Sequence, residues 1–499
     1  MEKVYQIHAK DNVVVALSPL KKGDTVEVAG KSVTLNEDVP AGHKIAKEDI
    51  PQGKEIIKYG FPIGTAKSDI KLGSWVHSHN TKSKLGDLLE YSYHPEEAGE
   101  PPKKSDKKYT FKGYAREDGR AGIRNEVWII PTVGCVNSIA RVIEEKAQAF
   151  LKDFPNVEGV YAYSHPHGCS QLAEDHHRTQ KFLAGLTHSP NAGAVLLLSL
   201  GCENNQPDQM KAAVGDITPG KMDYLVCQEV EDEITAGLEK VKTLMAFANK
   251  YKREELPVSK LVFGLKCGGS DGFSGITANP LVGAVADKLI AAGGTAILTE
   301  VPEMFGAETL LMNRCKDEAT FKKTVDLINN FKNYFKSYGE KVDENPSPGN
   351  KAGGITTLED KSLGCVQKGG TATVMDVLTY GDRAYEKGLL LLQGPGNDLV
   401  AANALAAAGA DMVLFTTGRG TPFACPVPTV KISSNSRIAN HKSNWIDFNA
   451  GALVEGATME EKAEEFFEFL LAVASGEKHA KSEALDKHEL AIFKDGVTL

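Results

Sequence analysis

The chain has 499 residues, 41% of them hydrophobic and 25% charged, too many for one ordinary core and too well mixed for a disordered or fibrous protein. A formal net charge of −9 argues against nucleic acid as the partner, because that partner selects a basic face. No apolar run reaches the length of a membrane span and the start MEKVYQIHAKDNVVVAL carries no signal-peptide core, so a cytoplasmic enzyme of two to four domains is expected.

Eight cysteines are spread along the chain without a compact framework and without the CxxC pairs of a zinc ribbon, which predicts reduced thiols, some buried and some available to a metal. Residues 1–93 read as a small β-rich unit of short alternating or β-branched runs, each closed by a Gly, Pro or Asp turn. Near its end His77 and His79 stand two apart. On a strand that spacing puts both imidazoles on one face, as a chelating pair would be; two solvated surface histidines are the plain alternative. Residues 94–110 carry prolines and opposite charges without apolar periodicity and read as a mobile linker.

A parallel α/β domain is expected over 111–255, because apolar strand-like runs alternate with helical segments. Just before its first strand, Arg116, Arg120 and Arg124 crowd together with Asp118 and Asn125. Guanidinium forks of this kind bind carboxylates, although most such clusters are solvated turns. Three strand-like runs then end in Gly134-Cys135, in His165, His167 and Cys169, and in Gly201-Cys202, so three thiols fall at one edge of one sheet. One buried cysteine would mean little; three strand-end thiols, joined by Cys267 further on, point to a site.

A second α/β domain is expected over 256–499. The run Leu261 to Leu265 reads as a buried strand that empties into Cys267, Gly268, Gly269, Ser270 and Asp271, with a helix starting around Asn279-Pro280. Ligands of open α/β sheets collect at such strand ends. The next strand runs into Glu300, Glu303 and Glu308, carboxylates suited to general-base work or metal ligation. The stretch NPSPGNKAGGITTLEDKSLG reads as a long functional loop in which Lys351 is able to hold a carboxylate or alkoxide. A later strand ends in Thr416, Thr417, Gly418, Arg419 and Gly420, a second anion-binding rim, and the residues from Thr458 read as an amphipathic helix. GxGxxG and GxxxxGK[ST] are both missing, so a dinucleotide or P-loop enzyme has no support.

The stretches GYAREDGRAGIRN, PTVGCVN, SLGCENNQ, GLKCGGSDGFSGITANP, LTEVPEMFGAE and FTTGRGTP, in this order and end to end, resemble the signatures of the altronate/galactarate dehydratase family. The resemblance implies an amino-terminal β-clip (SAF-type) domain followed by two parallel-sheet α/β domains. It also implies a hydro-lyase of hexuronate catabolism that removes water from D-altronate to give 2-dehydro-3-deoxy-D-gluconate, with galactarate as the alternative substrate and a noncatalytic sugar-acid sensor as the weakest reading. Ferrous iron is the implied cofactor, with manganese or an iron–sulfur cluster as alternatives. The partner implied is a small sugar acid, with no nucleic acid or membrane, in a chain compatible with a homo-oligomer such as a dimer. On this reading His77, His79, Cys135, Cys169, Cys202 and Cys267 are expected as metal ligands. Arg116, Arg120, Arg124, Asn125, Ser270, Asp271 and Arg419 are expected to hold substrate, and Glu300, Glu303, Lys351 and His165 stand as acid–base candidates without a choice among them. The β-clip domain is also open to a role as a lid.

Overall fold

The computed structural model describes residues 3–28, 30–86, 88–485 and 490–498. The amino-terminal unit is all β. Val4–Tyr5, Val13–Ala16, Lys44–Ala46 and Trp75–Val76 pair antiparallel in that order, beside the hairpin Thr25–Val28/Lys31–Thr34 and the three-stranded sheet Glu55–Lys58, Phe61–Ala66, Thr81–Lys82. Strand alternation divides its side chains between two cores. Val14, Ala16, Val26 and Ile45 fill a core private to this unit, whereas Val13, Ala46, Ile56 and Ile63 pack into the large core shared with the rest of the chain.

The middle unit holds β1 (Glu126–Pro131), β2 (Gly159–Ala162), β3 (Ala192–Ser199) and β4 (Met222–Val226), all parallel in the order β2-β1-β3-β4. Helices α1 (Asn137–Ala147), α2 (Ala173–Thr187), α3 (Pro207–Val214) and α4 (Glu233–Ala248) cover both faces. β1 is therefore buried throughout. Val127 and Ile129 face α1 and α4, and Trp128 and Ile130 face the large core. The strand order reverses between β1 and β3, so the loops leaving these strands diverge and open a crevice at their carboxyl ends.

The carboxy-terminal unit is a seven-stranded parallel sheet of β5 (Val262–Cys267), β6 (Thr295–Leu298), β7 (Val374–Leu378), β8 (Gly388–Leu392), β9 (Met412–Thr417), β10 (Thr429–Ser433) and β11 (Phe448–Asn449), in the order β7-β8-β6-β5-β9-β10-β11. Its switch point lies between β5 and β9, at the centre of the sheet. Around it run α5 (Ala278–Ala291), α6 (Glu308–Met312), α7 (Glu318–Ser337), α8 (Pro348–Ala352), α9 (Leu358–Cys365), α10 (Asp398–Ala407), α11 (Ser436–His441) and α12 (Met459–Ala474). The middle and carboxy-terminal sheets meet at their amino ends, where Asn191 Nδ2 donates to Asp411 O at 2.8 Å. Among the described residues no helix is long and apolar enough to cross a membrane.

Two expectations about connections need correction. Residues 94–110 are not a free linker but lie along the carboxy-terminal unit: Ser105 N donates to Ala291 O (2.9 Å) and Lys107 pairs with Glu464 (2.6 Å). The stretch read as one long loop around Lys351 contains α8 and α9. Both start from side-chain caps, Ser347 in a capping box with Asn350 and Thr357 accepting from Asp360 N, and every residue of α9 is buried. Tertiary packing there overrides a glycine-rich, polar composition. In addition, Thr110–Ala115 pairs antiparallel with Arg253–Pro257, tying both ends of the middle unit together.

Candidate active site at the carboxyl edge

β5 delivers Lys266 and Cys267 to the carboxyl edge of the central sheet, and β6 delivers Glu300, whose backbone is left-handed (φ 70°). For a residue with a Cβ that conformation is strained and needs surrounding structure to hold it. The hold comes from both carboxylate oxygens: Oε1 accepts from Lys266 Nζ (2.7 Å) and Oε2 from Cys267 N (2.9 Å). Lys266 also reaches Asp398 at the start of α10 (2.8 Å), and Lys368 Nζ stands 3.5 Å from Glu300 Oε2 and 3.0 Å from Cys267 Sγ.

Glu303 follows one turn after Glu300. Its Oε1 accepts from Lys361 Nζ (2.6 Å), and its Oε2 accepts from Cys267 Sγ (2.9 Å) and Cys365 Sγ (3.3 Å), with the two sulfurs 3.4 Å apart. Three ammonium groups thus meet three carboxylates in a knot that is buried except at Asp398. Buried charges persist only when paired so closely.

The two glutamates are driven apart. Burial, followed by the neighbouring Glu303 charge, raises the Glu300 carboxyl above its ordinary range. Burial would raise Glu303 as well, but Lys361, Lys368 and Lys266 outweigh it and bring Glu303 down to about 2. Against the cost of burial, the carboxylates hold Lys266 and Lys361 protonated, and Cys267 and Cys365, ahead of the two glutamates, hold Lys368 so. Carboxylates split in this way are suited to different tasks, one to carry a proton and one to remain an anion.

The amino-terminal unit closes over this edge. Asp360 on α9 takes Lys44 on Oδ2 (2.8 Å) and Lys58 on Oδ1 (2.9 Å), with all three side chains buried. Under this clasp lies a small cavity lined by Lys58, Tyr59, Ser270, Asp360, Lys361 and Cys365. It offers about 10 Å³, room for at most about one water. Ser270 Oγ is buried there with no hydrogen-bond partner among the described residues.

Cys267, Glu303 and Cys365 form the only set of three His, Cys, Asp or Glu ligand atoms within 4.8 Å of one another among the described residues. Two thiolates and a carboxylate are donors that borderline divalent metals accept, so the set fits an ion of the iron type. Loss of two thiol protons would offset the charge of such an ion.

Of the residues singled out in the sequence, Glu300, Glu303 and Cys267 come together here, with Ser270 at the cavity wall. Asp271 also borders the cavity, but its carboxylate is taken up by Ser274 (3.0 Å), Ser434 (2.7 Å) and Asn435 (2.9 Å), which tie the β5 loop to the one after β10. Arg419 is exposed on the loop after β9, which is joined to the β5 loop by Gly418 N to Gly269 O (3.1 Å). Lys351 lies on α8, half-buried, outside the knot.

Others are placed elsewhere. Arg116, Arg120, Arg124 and Asn125 precede β1 and so occupy the amino edge of the middle sheet, where their donors are spent on the protein itself. Arg116 serves Pro190 O (2.8 Å), Asn125 Oδ1 (3.0 Å) and Arg124 O (3.0 Å); Arg124 forks onto Glu483 (2.7 and 2.8 Å). Arg120 pairs with Asp118, and Asn125 Nδ2 donates to Asn156 O (2.7 Å) and Ala248 O (2.9 Å). His165 is a packing histidine: Nε2 bonds Pro131 O (2.7 Å), Nδ1 accepts from His167 N (3.1 Å), and burial lowers its pKa to about 4.

His77 is buried against Thr356 (3.3 Å) and stacked on Trp75, and burial lowers its pKa to about 3; His79 is tilted against Trp75 as well. Neither joins the cysteines in a three-ligand set. Cys135, Cys169 and Cys202 are exposed at the edge of the middle sheet and do not join Cys267.

The residues missed were Lys266, Lys361, Cys365, Lys368 and the Lys44–Asp360–Lys58 clasp. A signal was present for three of them, since Lys361, Cys365 and Lys368 are spaced i, i+4, i+7 along one helical face.

Three family models together match most of the chain: "Altronate/galactarate dehydratase SAF domain" over residues 2–84, "D-galactarate dehydratase/Altronate hydrolase, second domain" over 113–249, and "D-galactarate/Altronate dehydratase, C-terminal" over 258–498. Among curated proteins the chain is 53% identical to altronate dehydratase of Escherichia coli K12, over 99% of both chains, and 52% identical to that of Bacillus subtilis 168, over the full length of both. It is 33% identical to the L-threo-forming galactarate dehydratase of E. coli K12, over 98% of this chain and 96% of the relative.

Proposed function

This chain belongs to the D-galactarate/altronate dehydratase family, with an amino-terminal SAF domain and a hydro-lyase activity, and from that premise we propose that its substrate is D-altronate, dehydrated to 2-dehydro-3-deoxy-D-gluconate in hexuronate catabolism. The observation that carries this substrate is the much higher full-length identity to two altronate dehydratases than to a galactarate dehydratase.

Dehydration removes the C2 proton beside a carboxylate and expels the C3 hydroxyl, so negative charge develops on the carboxylate oxygens and must be met by fixed positive groups. The lysine-rich knot supplies them. Glu300 is the proton acceptor in this scheme: its raised pKa brings it nearer the working pH than an ordinary carboxylate, and its strained backbone fixes it against Lys266. Lys361, on the cavity wall, faces the growing oxyanion, and Lys368, 3.5 Å from Glu300 Oε2, donates to the departing hydroxyl. Cys267, Glu303 and Cys365 would hold the divalent ion, and their sulfur content favours iron over manganese, which prefers oxygen ligands. When bound, the ion acts as a Lewis acid on substrate oxygens.

A six-carbon acid does not fit in a cavity of about 10 Å³, so the amino-terminal domain serves as a lid that lifts from the Asp360 clasp to admit substrate. The test is anaerobic appearance of the 2-keto acid from D-altronate and from galactarate, with and without added ferrous iron. Iron-dependent product from altronate, with little or none from galactarate, is expected. Preferential turnover of galactarate would move the substrate within the family.

A further inference from the structure

The middle unit carries a second cluster of metal-type ligands that the carboxyl-edge site does not use. Each of its first three strands ends in a loop with a Gly-Cys pair: Gly134-Cys135 after β1, Gly168-Cys169 after β2 and Gly201-Cys202 after β3. All three cysteines are free and exposed, whereas most cysteines elsewhere in the chain are buried. They lie around the switch point of this sheet, where ligands of parallel sheets bind.

The three loops are bonded to one another rather than merely adjacent. Gly134 N donates to His167 O (2.9 Å), Asn205 N to Gly168 O (2.9 Å) and Ser170 N to Asn204 Oδ1 (2.8 Å). Asn137 Nδ2 adds a bond to His165 O (2.9 Å), and Asn205 Nδ2 one to Thr132 O (3.1 Å). Every cysteine is therefore within three residues of a bond that crosses to another cysteine loop.

The glycines are required by this closeness. A Cβ on Gly134 would stand 2.8 Å from His165 O, and one on Gly168, whose φ is +100°, would stand 2.0 Å from Thr132 O. Ser170 and Ala173 are left-handed without being glycine (φ 58° and 45°), so the β2 loop is drawn into place at a cost in backbone strain. Strain of this kind persists where a loop is built to hold something.

As placed, the three thiols do not stand close enough together to share one ion. A single ion draws its ligands close together, as Cys267, Glu303 and Cys365 already stand, and the three switch-point sulfurs do not meet the same 4.8 Å limit. A larger, soft, thiolate-seeking body spans wider sulfurs. Thiolates of this kind are the ligands of iron–sulfur clusters, and amide donors near the sulfurs tune such groups. One is in place, Gln228 Nε2 at 3.5 Å from Cys202 Sγ.

We propose that Cys135, Cys169 and Cys202 bind an iron–sulfur cluster at the switch point of the middle sheet, separate from the divalent-ion site at Cys267, Glu303 and Cys365. Three thiolates are one short of the four that clusters usually take, so a further donor would complete the set.

The test is iron and acid-labile sulfide, with visible absorbance, on full-length protein purified anaerobically. It is run beside Cys135→Ser, Cys169→Ser, Cys202→Ser and two controls, Cys227→Ser and Cys365→Ser. Wild type and both controls are expected to carry labile sulfide and the brown charge-transfer band, and each of the three variants to lose at least about nine-tenths of the sulfide. Their melting curves show whether they remain folded, and a variant that fails to fold is replaced by Cys→Ala at the same position. Iron or zinc without labile sulfide in the wild type, or sulfide retained when all three cysteines are replaced together, would overturn the proposal. Because the readout is sulfide and not turnover, it is independent of whether altronate is the substrate.

Discussion

Glu300 and Glu303 are three residues apart and chemically alike, yet one is pushed toward holding a proton and the other is fixed as an anion. The difference lies in their neighbours, since Glu303 gains Lys361 directly while Glu300 is penalised by burial and by Glu303 itself. Both glutamates were legible as strand-end carboxylates, but the split between them was not, because the lysines responsible come from three places, β5, α9 and the turn that follows it. Arg116 and Arg124 lie away from the knot for a reason that order along the chain already contained. Arg116 and Arg124 come before β1, and residues before a parallel strand sit at the edge opposite to ligands. Arg116→Lys is accordingly expected to cost about 1–3 kcal/mol of stability, because Pro190 O and Arg124 O lose their buried donor, with the altronate KM unchanged. A raised KM with an unaltered melting temperature would return Arg116 to substrate binding.

At the scale of elements, most strands of the two parallel sheets were legible as apolar runs ended by glycine-rich turns, α5 by its start near Asn279-Pro280 and α12 as an amphipathic segment. α9 was not. It is buried on every side, so apart from the Lys361, Cys365 and Lys368 spacing no face marks its period, and its composition is that of a loop. Its Asp360 is the element's strongest contribution, gripping two lysines of the amino-terminal domain. Burial would raise this carboxyl, but Lys44 and Lys58 dominate and depress it well below the carboxylate range. A depressed folded-state pKa contributes stability that is present above the unfolded value and is lost as pH falls through the folded one. The clasp is therefore intact at neutral pH, fails through Asp360 only in strong acid, and loses the Lys44 charge on the alkaline side, because burial brings that ammonium down to about 8. Asp360→Ala leaves Lys44 and Lys58 buried without a partner and is expected to cost about 3–5 kcal/mol. Limited proteolysis within residues 94–110 is the check: faster cleavage in the variant at neutral pH is expected, and cleavage at the wild-type rate would mean that the clasp does not hold the domain.

In the whole molecule, three units meet so that two sheets open at their carboxyl edges and the third, all-β unit closes over one of them. The order of units and the parallel architecture follow from residue patterns along the chain. The closure does not, because it depends on single buried pairs between residues about 300 positions apart. The most direct test of catalysis at the closed edge is single-condition turnover of D-altronate by wild type and Glu300→Gln under anaerobic, iron-supplied conditions, with melting temperatures measured on the same samples. The expected result is a fall in kcat of about 10²–10⁴-fold for the variant, the usual contribution of a positioned general base, in a protein that still folds. Turnover by a folded Glu300→Gln variant within a few-fold of wild type would contradict the assignment and move the proton acceptor away from Glu300.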